Sequence, residues 1–291
     1  MRVFELTPRR HARAISRALP YARPAPARVL ACATVSHYLQ ELFSLHGRRA
    51  LVTGGSSGIG YAIAEALGRA GAEVVLVARR PAELDQAAGR LRRHGVTTTC
   101  VSADLADRHD VQRVCDTMDD TAGEIDILVN NAGNNIRKPM AELTADDYEL
   151  TVAVNLTAPY LLGQHFGPRM AARGWGRIIN IGSQQSISAF GDSGAYGAAK
   201  AGLAGLTRSQ AEAWSAAGVC VNTIIPGFVL TPLTAPAQAV PGRVEALAAR
   251  HMTGRNGVPA DFAGAAVFLA GDASAFVTGQ MLFVDGGFSV H

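Results

Sequence analysis

The sequence predicts an α/β fold in which helices cover both faces of one doubly wound parallel sheet. From residue 50 onward, seven short apolar runs alternate with segments of helical periodicity. The runs are continuously apolar, as parallel strands buried on both faces are. Such an alternation along the chain is typical of a doubly wound sheet.

The predicted elements follow in chain order. The seven strands cover residues 50–53, 74–78, 98–102, 125–130, 177–181, 219–225 and 280–284. The clearest helical segments cover residues 61–70, 82–94, 107–120 and 145–173. The chain shows no second domain and no internal repeat. We therefore predict one Rossmann-type domain over residues 46–291, with seven parallel strands.

The composition excludes several classes of protein. Residues 1–45 contain seven arginines and two glutamates, a net charge of +5, so the remainder of this chain of net charge +3 carries −2. That balance gives no support for nucleic-acid binding. No apolar run reaches the ~20 residues of a membrane-spanning helix. The four cysteines lack paired spacing, and we expect no disulfide, no metal site and a cytoplasmic location.

Residues 1–45 form a basic N-terminal extension that we expect to be flexible or loosely docked. Besides its arginines, the segment holds the closely spaced Pro20, Pro24 and Pro26. A disordered basic extension and an upstream start codon in a GC-rich genome both account for this composition. An organelle transit peptide has the same character and is the less favoured interpretation.

Tyr196 and Lys200 form the first candidate catalytic pair. Only two of the 27 basic residues are lysines, and Lys200 lies four positions after Tyr196. Residues i and i+4 share one face of a helix, so the two side chains project side by side. An adjacent ammonium lowers the pKa of a phenol from about 10 toward the range useful for proton transfer. A chance pair of solvated residues is the alternative interpretation.

A glycine-rich turn follows the first strand. It reads Thr53-Gly54-Gly55-Ser56-Ser57-Gly58-Ile59-Gly60 and leads into the first helix of the domain. Gly54 permits the tight turn, while Gly58 and Gly60 permit close approach of a pyrophosphate. The helix N-terminus adds free amides and partial positive charge. We predict a dinucleotide-binding turn, with a purely structural glycine turn as the alternative.

The end of the second strand indicates which dinucleotide is bound. An Asp or Glu at this position accepts hydrogen bonds from the adenosine ribose of NAD. Here the strand ends in Val77-Ala78-Arg79-Arg80, with no carboxylate and two guanidiniums that suit a 2′-phosphate. We therefore predict NADP(H) in preference to NAD(H). Alternatively, Arg79 and Arg80 only begin a solvated helix.

Several further motifs accompany the glycine-rich turn and the Tyr196/Lys200 pair, and together they make residues 46–290 resemble the short-chain dehydrogenase/reductase family. Those motifs are Ser183 before Tyr196-x-x-x-Lys200, Asp104 after the third strand, Asn130-Asn131-Ala132-Gly133 after the fourth, Asn155, Pro226-Gly227 and the closing Gly279-Gln280…Val284-Asp285-Gly286-Gly287. The resemblance implies NAD(P)-dependent interconversion of a secondary alcohol and a ketone.

The resemblance also implies the catalytic roles. Ser183 would bind the substrate oxygen and stabilise alkoxide charge, and Tyr196 would exchange a proton with that oxygen. Lys200 would lower the pKa of Tyr196 and hold the nicotinamide ribose. Asn155 would lie at a helix distortion and order a water that connects Lys200 to solvent. No catalytic metal is implied.

The cofactor contacts are implied in the same way. Asp104 would contact the adenine, Asn131 would lie along the cofactor, and Thr231 would help to cover the nicotinamide. The full implied set is Gly54, Ser56, Ser57, Gly58, Ile59, Gly60, Arg79, Arg80, Asp104, Leu105, Asn131, Ala132, Gly133, Tyr196, Lys200, Pro226, Gly227, Val229 and Thr231.

Three segments resemble the gluconate 5-dehydrogenase members of that family, which interconvert gluconate and 5-ketogluconate. They are Leu42-Phe43-Ser44-Leu45, Asn134-Asn135-Ile136-Arg137-Lys138-Pro139 and Gln184-Gln185-Ser186. We expect the amides of Asn134, Gln184 and Gln185 to bind a polyol, and Arg137 or Lys138 to bind its carboxylate. Alternatively, the two basic residues are ordinary surface charges.

Three functional hypotheses follow. The first is an NADP(H)-dependent reductase of a small hydroxy-ketone or keto acid, with 5-ketogluconate the first substrate to test. The second is a 3-oxoacyl carrier-protein reductase or a natural-product ketoreductase, because Ile187-Ser188-Ala189-Phe190 brings apolar bulk near the pocket. The third is a non-catalytic NADP(H)-binding regulatory protein, which the intact catalytic set argues against.

The resemblance further implies a homotetramer, since family members usually assemble through the Tyr196 helix, the preceding helix and the C-terminal strand. The Tyr196 helix carries the small residues Ala201, Gly202, Ala204 and Gly205. These residues permit a close approach either to a second subunit or to the sheet of the same chain.

Overall fold

The computed structural model describes residues 30–121 and 123–291. The larger of two compact units spans Leu39–His291 and contains the whole sheet. Residues 1–29 of the predicted extension lie outside the described residues, and the boundary at residue 45 stays a prediction. Within the described part of the chain, no helix is long and apolar enough to cross a membrane.

The apolar runs form one sheet of seven parallel strands, which confirms the predicted fold class. The order across the sheet is β3-β2-β1-β4-β5-β6-β7. The strands are β1 Arg49–Thr53, β2 Glu73–Ala78, β3 Thr98–Ser102, β4 Ile127–Asn130, β5 Gly176–Ile181, β6 Val219–Pro226 and β7 Met281–Val284. Their boundaries lie within two residues of the predicted ones because continuous apolar runs mark buried parallel strands clearly.

Helices connect the strands and follow the predicted segments. They are α1 Leu30–Phe43, α2 Gly58–Arg69, α3 Pro81–Arg93, α4 Arg108–Asp119, α5 Ala145–Val152, α6 Ala158–Ala172, α7 Gly194–Trp214, α8 Ala235–Gln238, α9 Arg243–Ala249 and α10 Ala263–Ala270. The segment predicted as one helix over residues 145–173 contains a π-helical turn, Ala153–Thr157, between α5 and α6. This turn confirms the distortion implied at Asn155.

The core lies on both faces of the sheet. Side chains alternate between the two faces of a strand. In β2, Val74 and Leu76 belong to one buried cluster, while Val75 and Val77 belong to the other. The first cluster includes residues of α2, α3 and α10, and the second includes residues of α4 and α6. The sheet is therefore covered by helices on both sides, as a doubly wound fold requires.

The order of the strands determines where a ligand binds. The strand order reverses between β1 and β4, because β2 and β3 lie on one side of β1 while β4 to β7 lie on the other. Ligands of such sheets bind outside the carboxyl ends of the strands at this reversal point. The glycine-rich turn after β1, the Asn-Ala-Gly segment after β4, Ser183 after β5 and Gly227 after β6 all follow carboxyl strand ends. The sequence motifs therefore meet at one edge of the sheet.

Candidate active site

The glycine-rich turn forms a cradle at the N-terminus of α2. Gly54 and Gly58 adopt φ values of +63° and +57°, a region that glycine enters without steric cost. Ser57, at the N-cap of α2, makes no side-chain capping bond, so the first amides of the helix stay free for an anion. These features fit the pyrophosphate of a dinucleotide.

Asn131 packs closely against the same turn. Its Nδ2 donates to the backbone oxygens of Thr53 (2.9 Å) and Gly54 (3.2 Å). The Thr53 hydroxyl in turn accepts from the backbone amides of Asn131 (2.9 Å) and Ala132 (3.0 Å). These bonds join the ends of β1 and β4. A Cβ at Gly60 would overlap Nδ2 of Asn131 and the carbonyl oxygen of Gly54, so Gly60 is required by close packing.

The tip of β2 carries a cation that is open to solvent. The Arg79 side chain is 68% exposed, and its guanidinium lies 4.0 Å from the Asp104 carboxylate. Arg80 is the N-cap residue of α3 and pairs with Glu83 at 2.6 Å, with a second contact at 2.7 Å. Arg80 thus begins an exposed helix, as the alternative interpretation states. Arg79 is the better placed of the two for a phosphate.

The π-helical turn positions Asn155, which is completely buried. Its Nδ2 donates to the backbone oxygens of Thr151 (2.9 Å) and Asn134 (3.0 Å) and to Oδ1 of Asn134 (2.7 Å). Its Oδ1 has no hydrogen-bond partner among the described residues. A buried acceptor without a partner is unfavourable unless water or a ligand completes it. Asn155 is therefore equipped to bind a water.

Ser183, Tyr196 and Lys200 line one cavity. Ser183 follows β5, and its hydroxyl accepts from the amide of Gln185 at 3.2 Å. Tyr196 and Lys200 occupy the first two turns of α7, and both are buried. The Lys200 ammonium donates to the backbone oxygen of Ile181 at 2.8 Å and lies 5.6 Å from the centre of the Tyr196 ring. The i, i+4 spacing thus produces the predicted adjacency.

The pKa of Tyr196 shifts in the direction opposite to the expected one. Burial raises the pKa of Tyr196 to about 12, and the interaction with the Ser183 side chain lowers it only in part. Burial also lowers the pKa of Lys200 to about 7, because the ammonium loses its hydration. The ammonium lies over the ring and donates to Ile181, so it does not offset the burial of the phenol. Tyr196 is therefore a protonated phenol at neutral pH.

The remaining implied cofactor residues border the cradle or the cavity. Thr231 lies beside the cradle, because a Cβ at Gly58 would be 3.4 Å from its side chain. Ser56 and Leu105 are buried, and Leu105 packs in the core beside the Asp104 turn. The residues of the implied cofactor set that line the catalytic cavity are Ile59, Asn131, Gly133, Tyr196, Lys200, Pro226, Gly227, Val229 and Thr231.

The cavity has a volume of about 400 Å³, and three of the five residues expected at the substrate line it: Arg137, Gln184 and Gln185. Gln184 is 6% exposed, and its side chain interacts with the Asp285 carboxyl, whose pKa it helps to lower. Gln185 lies beside it on the cavity wall. Arg137 also lines the cavity, but it donates to Ser193 Oγ (3.0 Å) and to the backbone oxygen of Gly191 (2.7 Å). Arg137 therefore braces the turn that leads into α7.

Asn134, the fourth amide or arginine expected at the substrate, does not line the cavity. Its Oδ1 accepts from Asn155, and its Nδ2 lies 3.5 Å from the Leu150 oxygen. The next residue, Asn135, lines the cavity instead, and its buried Oδ1 has no partner among the described residues. Lys138 is paired with Asp147 at 2.6 Å, which lowers the pKa of that carboxyl to about 2. Lys138 is thus the surface charge of the alternative interpretation.

Sequence reasoning placed Phe190 near the pocket but missed Phe288, Arg243 and Leu247 of the cavity wall. Phe190 and Phe288 stack with ring centres 6.0 Å apart and form an apolar wall. Arg243 and Leu247 of α9 also line the cavity. Both belong to residues 231–255, which we call the substrate loop. No sequence signal identified Phe288, Arg243 or Leu247, because the substrate loop has no motif of its own.

Comparisons with known proteins agree with the site. Residues 54–289 match the family model described as enoyl-(acyl carrier protein) reductase. The chain is 39% identical over 250 residues to gluconate 5-dehydrogenase of Gluconobacter oxydans (strain 621H), covering 86% of this chain and 98% of the relative. It is 40% identical over 248 residues to D-threitol dehydrogenase of Mycolicibacterium smegmatis, covering 85% and 95%.

A solved structure extends the likeness to the fold. The crystal structure of a gluconate 5-dehydrogenase from Burkholderia cenocepacia J2315, in complex with NADP and tartrate, has a TM-score of 0.83 and 37% identity, covering 87% of this chain and 99% of that chain. A cradle for a dinucleotide beside a buried tyrosine and lysine defines an NAD(P)-dependent oxidoreductase. With these matches over most of its length, the chain belongs to the short-chain dehydrogenase/reductase family.

Proposed function

We propose that this protein reduces the ketone of a keto-sugar acid such as 5-ketogluconate with NADPH, and catalyses the reverse oxidation. The observation that carries the proposal is the composition of the cavity wall. Ser183, Tyr196 and Lys200 share that wall with amide side chains and two arginines, and no aspartate or glutamate of the described residues lines it. Such a wall suits a polyhydroxylated anion.

Ser183 and Tyr196 would act on the ketone oxygen. Their side chains interact with each other, so one substrate oxygen can accept from both hydroxyls. Because Tyr196 is protonated at neutral pH, it can donate its proton to the alkoxide oxygen that forms during reduction. The Ser183 hydroxyl would stabilise the charge on that oxygen. NADPH, when bound in the cradle, supplies the hydride that the carbonyl carbon accepts.

Lys200 and Asn155 would restore the proton on Tyr196. A lysine whose pKa is about 7 both takes up and releases a proton near neutrality. The unpaired Oδ1 of Asn155 is an acceptor for a water that could relay protons between Lys200 and solvent. In this arrangement Lys200 supplies protons to the tyrosine and does not depress its pKa.

The choice of NADP(H) is supported by Arg79. The guanidinium is exposed at the tip of β2 and has one neighbouring carboxylate, Asp104, at 4.0 Å. A 2′-phosphate would find there a charge-assisted donor in place of the acid that NAD requires. The Burkholderia relative was crystallised with NADP, which agrees with this preference.

A second function is favoured by one observation. Phe190 and Phe288 give the cavity an apolar wall, which suits a longer or more hydrophobic ketone such as a 3-oxoacyl thioester. The catalytic residues would act in the same way on that substrate. The third hypothesis, a non-catalytic NADP(H)-binding protein, has no supporting observation at the site.

The test is oxidation of NADPH and NADH by the purified protein with a panel of ketones. The panel contains 5-ketogluconate, other keto-sugar acids, an acetoacetyl thioester and a bulky hydrophobic ketone. We expect turnover of a keto-sugar acid with NADPH, reduced about 10²- to 10⁴-fold in Tyr196→Phe. Tyr38→Phe, which removes an exposed hydroxyl from α1, is the matched control. Turnover of the thioester alone would favour the second function.

We further propose a cytoplasmic homotetramer. Helices α5 and α6 expose Tyr148, Leu150 and Tyr160, and Phe276 before β7 is fully exposed. The edge strand β7 is only half-buried along its length. These apolar surfaces suit the subunit contacts that the family uses. A size measurement that finds only monomer at micromolar concentration would contradict the tetramer.

A further inference from the structure

The charged side chains that line the cavity are all cationic. Among the described residues that line it, the ionisable cations are Arg137, Lys200 and Arg243, and neither aspartate nor glutamate is present. Lys200 is held by the Ile181 oxygen and Arg137 by Gly191 and Ser193. Arg243 differs from both. It is exposed, and its guanidinium has no hydrogen bond and no ion pair with any residue that the structure describes.

The backbone directs Arg243 at the cavity. Arg243 is the first residue of α9, after the left-handed Gly242, and Leu247 follows it by four positions. Residues i and i+4 share a helix face, and both of these residues line the cavity. Glu245, two positions on, does not line it. The face of α9 that meets the cavity therefore carries one cation and one apolar side chain.

Local stability does not account for this arginine. A cation in the first turn of a helix lies at the positive end of the helix dipole, where an acid is the favourable charge. The side chain also gains nothing from an ion pair within the described residues. A free guanidinium on a cavity wall is, however, a suitable donor for a bidentate carboxylate.

We propose that Arg243 binds the carboxylate of the substrate and so makes the enzyme selective for keto acids over neutral ketones. This assignment rests on the proposed function, of which it names the acid-recognising residue. Arg137 has a different role in this assignment, because it positions the turn before α7. Because α9 belongs to the substrate loop, an acidic substrate would join this loop to the wall that carries Tyr196.

The test compares the wild type with Arg243→Gln, Arg243→Lys and Glu245→Gln. Each is assayed with NADPH on 5-ketogluconate and on the neutral ketohexose in which a hydroxymethyl group replaces the carboxylate. We expect Arg243→Gln to raise the KM for the acid about tenfold, with kcat changed less than about twofold and the KM for the neutral ketone unchanged. Arg243→Lys should be intermediate. Glu245→Gln, on the same helix, should behave as the wild type.

Binding of gluconate in the presence of NADP⁺, measured by calorimetry, separates two kinds of failure. If the wild type binds gluconate but reduces no keto-sugar acid, the proposed function is wrong, and the weaker binding by Arg243→Gln still supports the assignment. An unchanged KM and an unchanged affinity for gluconate in Arg243→Gln would overturn it. So would an equal rise in the KM for the acid and the neutral ketone. A wild type that neither binds gluconate nor reduces the acid contradicts both proposals.

Discussion

Replacing Gly60 with alanine tests whether the cradle depends on close packing. Gly60 lies in the first turn of α2. An added Cβ would come closer than 3.0 Å to Nδ2 of Asn131, to the Gly54 carbonyl oxygen and, at 2.9 Å, to the Gly54 carbonyl carbon. The backbone of Gly54 has little freedom to move, because its amide donates to the Val77 oxygen at 2.8 Å. The turn must therefore shift to accept one methyl group.

Two opposing contributions determine how much Gly60→Ala changes the free energy of unfolding. Alanine stabilises a helix interior by about 0.5–1 kcal/mol relative to glycine. Overpacking of a tight site costs about 1–3 kcal/mol. The clash with Gly54 involves backbone, so we take the upper end and expect a net loss of about 2 kcal/mol. For a domain of this size, that loss lowers the Tm by roughly 4–8 °C.

Gly89→Ala is the matched control. Gly89 lies inside α3, and a Cβ there would meet no atom within 4 Å. The same substitution should therefore raise the Tm by about 1–4 °C. Thermal unfolding of both variants at one protein concentration, with NADPH titrations by fluorescence, measures the two terms. A Gly60→Ala protein as stable as Gly89→Ala, with wild-type affinity for NADPH, would refute the packing argument.

Two further predictions concern charge. Arg79→Gln should raise the KM for NADPH about tenfold and leave that for NADH nearly unchanged, whereas Arg80→Gln, whose guanidinium is held by Glu83, should have a smaller effect. Equal losses for both cofactors would show that Arg79 does not contact the 2′-phosphate. The pKa of Lys200 is about 7 in the folded protein, against an ordinary value of 10.5. Between these two pH values the lysine is protonated in the unfolded chain but mostly neutral in the folded protein. The free energy of unfolding therefore rises with pH in this range. From pH 7 to pH 9 the free energy of unfolding should rise by about 2 kcal/mol more in the wild type than in Lys200→Met, as measured by urea denaturation. Parallel pH profiles for the two proteins would contradict the buried, weakly basic lysine.

The sheet and the adjacency of Tyr196 and Lys200 were predictable because their signals are local. Strands buried on both faces read as apolar runs, and glycines mark the turns that need positive φ or close packing. The i, i+4 spacing places Tyr196 beside Lys200 whatever the tertiary structure. These features depend on a few neighbouring residues, so the sequence alone predicts them.

The substrate side of the cavity was less predictable because it depends on how loops turn. Asn134 and Asn135 are adjacent and chemically identical, yet only Asn135 faces the cavity. Arg243 comes from a segment with no motif and reaches the cavity only through the placement of α9. The pKa of Tyr196 was expected to fall, but burial of both partners decides its direction. Spacing shows that two groups are near each other and does not show how far water is excluded.

The π-helical turn makes the number of residues between α5 and α6 part of the site. Such a turn holds one residue more than a regular α-helix, and each residue of a helix turns the chain by about 100°. The wider π turn absorbs its extra residue, so deleting one residue from Ala153–Thr157 would restore ordinary helical geometry with little rotation of α5 relative to α6. The deletion would instead change which side chain of the turn occupies the buried position of Asn155. The position of Asn155 thus depends on the number of residues in this segment, so insertions and deletions should disturb it more than substitutions elsewhere in the turn.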